Sequence, residues 1–143
     1  MVDIVKELRD SQLLVVCGHN KRLALQLSKV NWGAVHIFGL VNNMHEMMGA
    51  ADVMITKPGG LSIAEALVRE LPLIFFNAIP GQETHNIEVL KHYGIGLSGL
   101  SLPQMQEVIE EFSRSPQKIL EAKQKMRELA SPHAVKDIID LIK

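Results

Sequence analysis

The stretch Lys57-Pro58-Gly59-Gly60-Leu61-Ser62-Ile63-Ala64-Glu65 has the residue types and spacing that could do chemistry. An apolar run, Val53 to Ile55, precedes a turn made by Pro58, Gly59 and Gly60. Leu61, Ala64, Leu67 and Val68 then recur at helical spacing. The order is strand, tight turn, helix start. Paired glycines let a backbone or a ligand come close. A helix start directs free N–H groups at whatever sits there, which suits an anion and phosphate above all. A Gly-Gly pair alone reads as a plain strand-to-helix connection, so Glu65 carries the distinction. It lies one turn beyond Leu61 and is expected on the side of Leu61, Ala64 and Val68, away from solvent. It is too far past the first turn for the helix dipole to be its main partner. A carboxylate leaning into an apolar stripe needs donors. Two sugar hydroxyls would supply them, and so would a nearby lysine or backbone amide.

The elements that must position this stretch follow from the rest of the chain. At 143 residues it is long enough to bury a core as one domain. Its 47% hydrophobic and 22% charged content excludes a disordered chain. A net charge of −1 without a basic cluster argues against a duplex nucleic-acid binder. The single cysteine, Cys17, fits a reducing compartment. No apolar run approaches a membrane span and no signal peptide is recognisable, so a cytoplasmic, soluble chain is expected.

Helical spacing over Asp3–Arg9 predicts a first helix. Apolar runs predict strands at Leu13–Cys17, Val35–Phe38, Asp52–Ile55 and Leu73–Phe76, with a short last one at Ile95–Leu97. Helices are expected at Lys21–Lys29, from Asn42 or Asn43 through Met48, after Gly60, and, following a polar loop from Asn77 to Glu83, through His92. Ser101 ahead of Pro103, Ser115 ahead of Pro116 and Ser131 ahead of Pro132 predict three C-terminal helix starts. Apolar strands alternating with helices predict a parallel sheet covered on both faces, a Rossmann-like α/β fold. Ligands in such sheets bind at the carboxyl ends of the strands. Here those ends are Gly18-His19-Asn20, Gly39-Leu40-Val41, Lys57-Pro58-Gly59-Gly60 and Pro80-Gly81-Gln82-Glu83, which are expected to converge on one rim.

In family order, Val15-Val16-Cys17-Gly18-His19-Asn20, Phe38-Gly39-Leu40-Val41, Ile55 to Glu65, and Pro80-Gly81-Gln82-Glu83-Thr84-His85-Asn86 resemble the C-terminal half of a GT-B glycosyltransferase. The family resembled is that of processive diacylglycerol glucosyltransferases and monogalactosyldiacylglycerol synthases, a group that also holds the glycosyltransferase making lipid II. The resemblance implies a half-site for a UDP-sugar donor, UDP-glucose or UDP-galactose, with inverting transfer to a lipid acceptor such as diacylglycerol. By that resemblance Glu65 holds the ribose hydroxyls, Val41 meets the uracil edge through its backbone, and Met44 packs on the nucleoside. Spacing alone reads Met44 as ordinary core. Gly59, Gly60, Leu61 and Ser62 would lie near the diphosphate, and Gln82 and Glu83 would read the sugar hydroxyls. A solvated turn, with Glu83 supporting a helix start, is the other reading of that last pair. Gly18, Asn20, Lys57, Pro80, Gly81 and Asn86 would line the rim without an assigned role, while His19 and His85 read as exposed rim residues.

The family has, before the first helix, a strand ending in a Gly-rich loop that touches the donor phosphates. Upstream of it lies an acceptor-binding N-terminal domain with the catalytic base. Neither finds a counterpart here, so the chain is expected to be a donor-binding fragment, inactive alone, with no catalytic residue of its own. There is no Asp-x-Asp motif and no Cys/His cluster, and the resemblance implies transfer without a metal or other cofactor, with positive helix ends supporting the leaving diphosphate. The full-length protein would be peripheral to the cytosolic membrane face. Two other readings are a non-catalytic subunit of a split glycosyltransferase and half of a UDP-sugar epimerase.

Overall fold

The computed structural model describes residues 11–31, 33–76 and 81–142. The helix expected over Asp3–Arg9 and the candidate Pro80 lie outside the described residues. The described elements are β1 (Leu13–Val16), α1 (Lys21–Ser28), β2 (Val35–Phe38), α2 (Met44–Ala50), β3 (Met54–Thr56), α3 (Gly60–Val68) and β4 (Leu73–Phe75). They are followed by α4 (Gln82–His92), α5 (Leu102–Arg114), α6 (Pro116–Leu129) and α7 (Ala134–Ile142). The chain divides into two compact units, residues 1–47 with 100–114, and residues 48–99 with 115–143.

The parallel pairing expected from the apolar runs is present, as two two-stranded sheets. In the first unit β1 pairs with β2 in parallel, Leu13 opposite Val35 through Val16 opposite Phe38. Leu14 and its cross-strand partner His36 are both exposed, while Leu13, Val15, Val16, Val35, Ile37 and Phe38 are half-buried.

In the second unit β3 pairs with β4 in parallel, Met54 opposite Leu73 through Thr56 opposite Phe75. The last strand shrinks to a single bridge between Ile74 and Leu97. Leu73, Ile74 and Phe75 are all buried, and α3 adds Ile63, Ala66 and Leu67 to the same core, with Leu71, Leu90, Ile95 and Met126. Each of the Leu, Ile, Phe and Met side chains among them contributes about 1.5–3 kcal/mol on burial, which holds α3 in place behind its glycine turn. At the far end of α3, Glu70 takes φ +53, and Leu71 donates to the Ala66 carbonyl. The Glu70 carboxylate meets Arg127 of α6 at 3.0 Å.

The serine starts are realised unequally. Ser101 donates through its backbone N–H and its hydroxyl to the Gln104 side chain, both at 2.8 Å, and opens α5. Ser115 makes no side-chain capping bond, and Pro116 in the first turn starts α6. After Ser131-Pro132 the chain turns once more before α7 begins at Ala134. Every described residue of α7 is exposed, Leu141 to 87%.

Candidate functional site

In the second unit β3 delivers the chain into a tight turn. Pro58 is fully buried, and the Gly59 N–H donates back to the Lys57 carbonyl at 2.8 Å. Gly59 is the N-cap of α3, with φ −75 and ψ 136, and having no side chain it makes no capping bond. No side chain of the N-cap therefore covers the first N–H groups of α3, on Gly60, Leu61 and Ser62. A Cβ added at Gly59 or Gly60 would meet no atom within 4 Å, so the two glycines border open space. Neither has a positive φ. Internal packing does not require glycine here.

The face of α3 differs from expectation. Glu65 does not lean into the core; the buried stripe is Ile63, Ala66 and Leu67, and Leu61, Ala64, Glu65 and Val68 are exposed, Leu61 to 84%. The reason lies in the helix composition. Apolar residues stand at 61, 63, 64, 66, 67 and 68, so two apolar stripes compete for the core. The stripe without the charge is buried, as the cost of an unpaired buried carboxylate requires. Exposed Glu65 is not obliged by burial to find donors. An open carboxylate remains, flanked by apolar side chains, one turn beyond an uncapped helix start.

The connection after β4 enters α4 through Gly81, at φ +101 and ψ −116, a conformation open to glycine. Glu83 stands half-buried in the first turn and Gln82 begins the helix; the Gln82 side chain lies outside the described residues. Asn86 is half-buried, and its Nδ2 donates to the Pro58 carbonyl at 2.9 Å. That bond brings together two candidate stretches, the glycine turn and the start of α4. Lys57 and His85 are exposed.

In the first unit the loop after β1 meets the loop after β2. Cys17 donates to the Phe38 carbonyl at 2.8 Å and Gly18, at φ +55, donates to the Gly39 carbonyl at 3.1 Å. The Asn20 side chain accepts from the Leu23 N–H at 3.0 Å and so caps α1. Asn before a helical run carries that signal, which reading it as a rim residue missed. His19 is exposed. Val41 and Met44 are half-buried, Met44 being the first residue of α2. Asn43 rather than Asn42 precedes that helix: its carbonyl accepts from Glu46 and Met47, and its side chain donates to the Glu46 carboxylate at 2.9 Å. An open depression of about 370 Å³, bordered by Ser28, Val30, Asn31 and His36, involves none of the candidate residues. Among the described residues no group of three or more His, Cys, Asp or Glu side chains is placed to hold a metal ion. No helix among them is long and apolar enough to cross a membrane.

Residues 2–142 match the glycosyltransferase family 28 C-terminal domain. The chain is 38% identical over 130 residues to monogalactosyldiacylglycerol synthase 2 of Arabidopsis thaliana, covering 90% of this chain and 28% of that protein. It is 32% identical over 129 residues to the processive diacylglycerol beta-glucosyltransferase of Staphylococcus carnosus, covering 89% and 33% respectively. The chain thus spans about a third or less of the length of these relatives. Among solved structures, MurG of Acinetobacter baumannii superimposes with a TM-score of 0.75 at 20% identity, over 99% of this chain and 44% of that one. The glycotransferase of kitacinnamycin superimposes with a TM-score of 0.73 at 18% identity, over 97% and 37%. The fold is that of the C-terminal half of GT-B glycosyltransferases, and the chain belongs to the glycosyltransferase family 28 C-terminal domain family.

Proposed function

We propose that this chain is the donor-binding half of an inverting glycosyltransferase that moves glucose or galactose from a UDP-sugar to a lipid such as diacylglycerol. The observation that carries the reading is the uncapped start of α3 behind two glycines that border open space, with the exposed Glu65 one turn further on. The N–H groups of Gly60, Leu61 and Ser62 take the diphosphate, and the positive helix end supports its charge as it leaves. Glu65 accepts hydrogen bonds from the ribose hydroxyls, and Leu61 and Val68 lend the nucleoside apolar surface. Val41 and Met44 serve the uracil side; Gln82 and Glu83 serve the hexose. No resident metal ion is part of this reading. The names of the relatives support the sugar and acceptor classes, since they are galactosyl and glucosyl enzymes of diacylglycerol. The catalytic base and the acceptor site belong to the part of such a protein outside this chain, which is inactive alone. The whole protein works as a peripheral protein on the membrane face where its lipid acceptor lies.

The test is a heteronuclear NMR titration of the chain with UDP, with ADP as control. Shifts at Gly59, Gly60, Glu65, Val41 and Met44 with UDP and not with ADP are expected, and UDP-glucose or UDP-galactose should add shifts at Gln82 and Glu83. No response to millimolar UDP, or an equal response to ADP, would refute the uridine site.

A further inference from the structure

We infer that Asn86 is a positioning residue: through the Pro58 carbonyl it holds the Pro58–Gly59 peptide in the one orientation that presents the start of α3. The inference rests on the reading of this turn as the diphosphate site. Pro-Gly is a sequence with a conformational choice, because Pro at the second and Gly at the third position of a type II turn would place the glycine near φ +80. Gly59 instead stands at φ −75 and ψ 136. The two arrangements differ in both torsions of Gly59, so they aim the Pro58–Gly59 peptide and the start of α3 differently, and glycine offers little steric resistance to the change.

What selects the observed orientation is bonding at both ends of that peptide. Its N–H donates to the Lys57 carbonyl at 2.8 Å, and its C=O accepts from Asn86 Nδ2 at 2.9 Å. The first bond is local and belongs to the turn. The second comes from α4, 28 residues away in sequence, from a half-buried side chain. The Pro58 ring is fully buried beside it, so the turn is fixed to the second unit by one packed ring and one hydrogen bond. A change to the type II arrangement would turn the carbonyl away from Asn86 and take the helix start with it. Asn86 therefore sits near the donor without touching it. Its matching position in the motif after Gly81 is explained by the turn it holds.

Asn86→Asp tests this, because a carboxylate of the same shape cannot donate to a carbonyl. In the ligand-free chain the Gly59 and Gly60 amide resonances should shift or split, whereas those of β1 and β2 should not. UDP and UDP-hexose should then weaken by the same factor, about tenfold for one lost hydrogen bond. A loss confined to UDP-hexose, with UDP binding intact, would overturn the inference and make Asn86 a sugar contact. Unchanged Gly59 and Gly60 amides would overturn it as well. Should Asn86→Asp not fold, the unaltered chain still decides: nuclear Overhauser cross-peaks from the Asn86 side-chain amide to Pro58 are expected, and their absence refutes the clamp. If the unaltered chain binds no UDP, the donor reading fails, while the ligand-free amides still decide whether Asn86 holds the turn.

Discussion

Replacing Gly96 by alanine should destabilise the second unit far more than the same change at Gly94, two residues earlier. Both glycines have left-handed backbone, φ +73 at Gly96 and φ +66 at Gly94. An alanine there costs about 1–2 kcal/mol for the conformation alone, offset by about 0.4–1 kcal/mol from a stiffer unfolded chain. The neighbours differ. A Cβ at Gly96 would stand 2.5 Å from Cε2 of Phe75 and 3.2 Å from two more ring atoms. Phe75 is 3% exposed, and its backbone is tied down by its N–H donating to the Leu97 carbonyl at 2.7 Å. The ring cannot step aside without disturbing β4, so overpacking of about 1–3 kcal/mol is added. A Cβ at Gly94 would meet only the amine end of Lys125, at 2.9 Å, which can swing into solvent. The net expectation is about 2–4 kcal/mol for Gly96→Ala and about 1 kcal/mol or less for Gly94→Ala. With a urea slope of about 1–3 kcal/mol/M, a 3 kcal/mol loss moves the midpoint by about 1–3 M. Urea unfolding followed by far-ultraviolet circular dichroism measures both. Equal midpoints for the two variants would refute the packing of Phe75 on Gly96.

Two further changes separate binding from folding. Gly59→Ala and Gly60→Ala should leave stability within about 1 kcal/mol of the original, because each Cβ enters open space at an ordinary φ. UDP affinity should nonetheless fall at least about tenfold, since a methyl group would crowd the approach to the helix start; normal UDP binding by both variants would remove the diphosphate from this turn. Glu65→Ala should change the urea midpoint little, the side chain being exposed, but should weaken UDP by about 10- to 150-fold through lost bonds to a charged group. The same variant should bind 2′,3′-dideoxy-UDP as the original chain does, and an equal loss for both nucleotides would detach Glu65 from the ribose.

What could be read in the sequence is what depends on neighbours along the chain. Val35–Phe38 is recovered to the residue because Gly33 and Gly39 bracket an apolar run. The turn before α3 is recovered because proline and two glycines leave few alternatives. The face of α3 was misread because six of its nine residues or near neighbours are apolar, so periodicity alone cannot choose between the Leu61 stripe and the Ile63 stripe. The single charge makes that choice. Glu65 is cheaper to leave in water than to bury, and the stripe opposite it goes inside. The consequence for function is the reverse of what helical periodicity implies. Glu65 is not a buried carboxylate in need of donors; it is an open one, kept beside exposed Leu61 and Val68, and its availability rather than its strain supports a ligand. The bond from Asn86 to Pro58 could not be read at all, because no local pattern reports a partner 28 residues away. Only the packing of α4 and β3 within one unit creates it. Sequence motifs thus located the turn, while the interactions that decide which way it faces are tertiary.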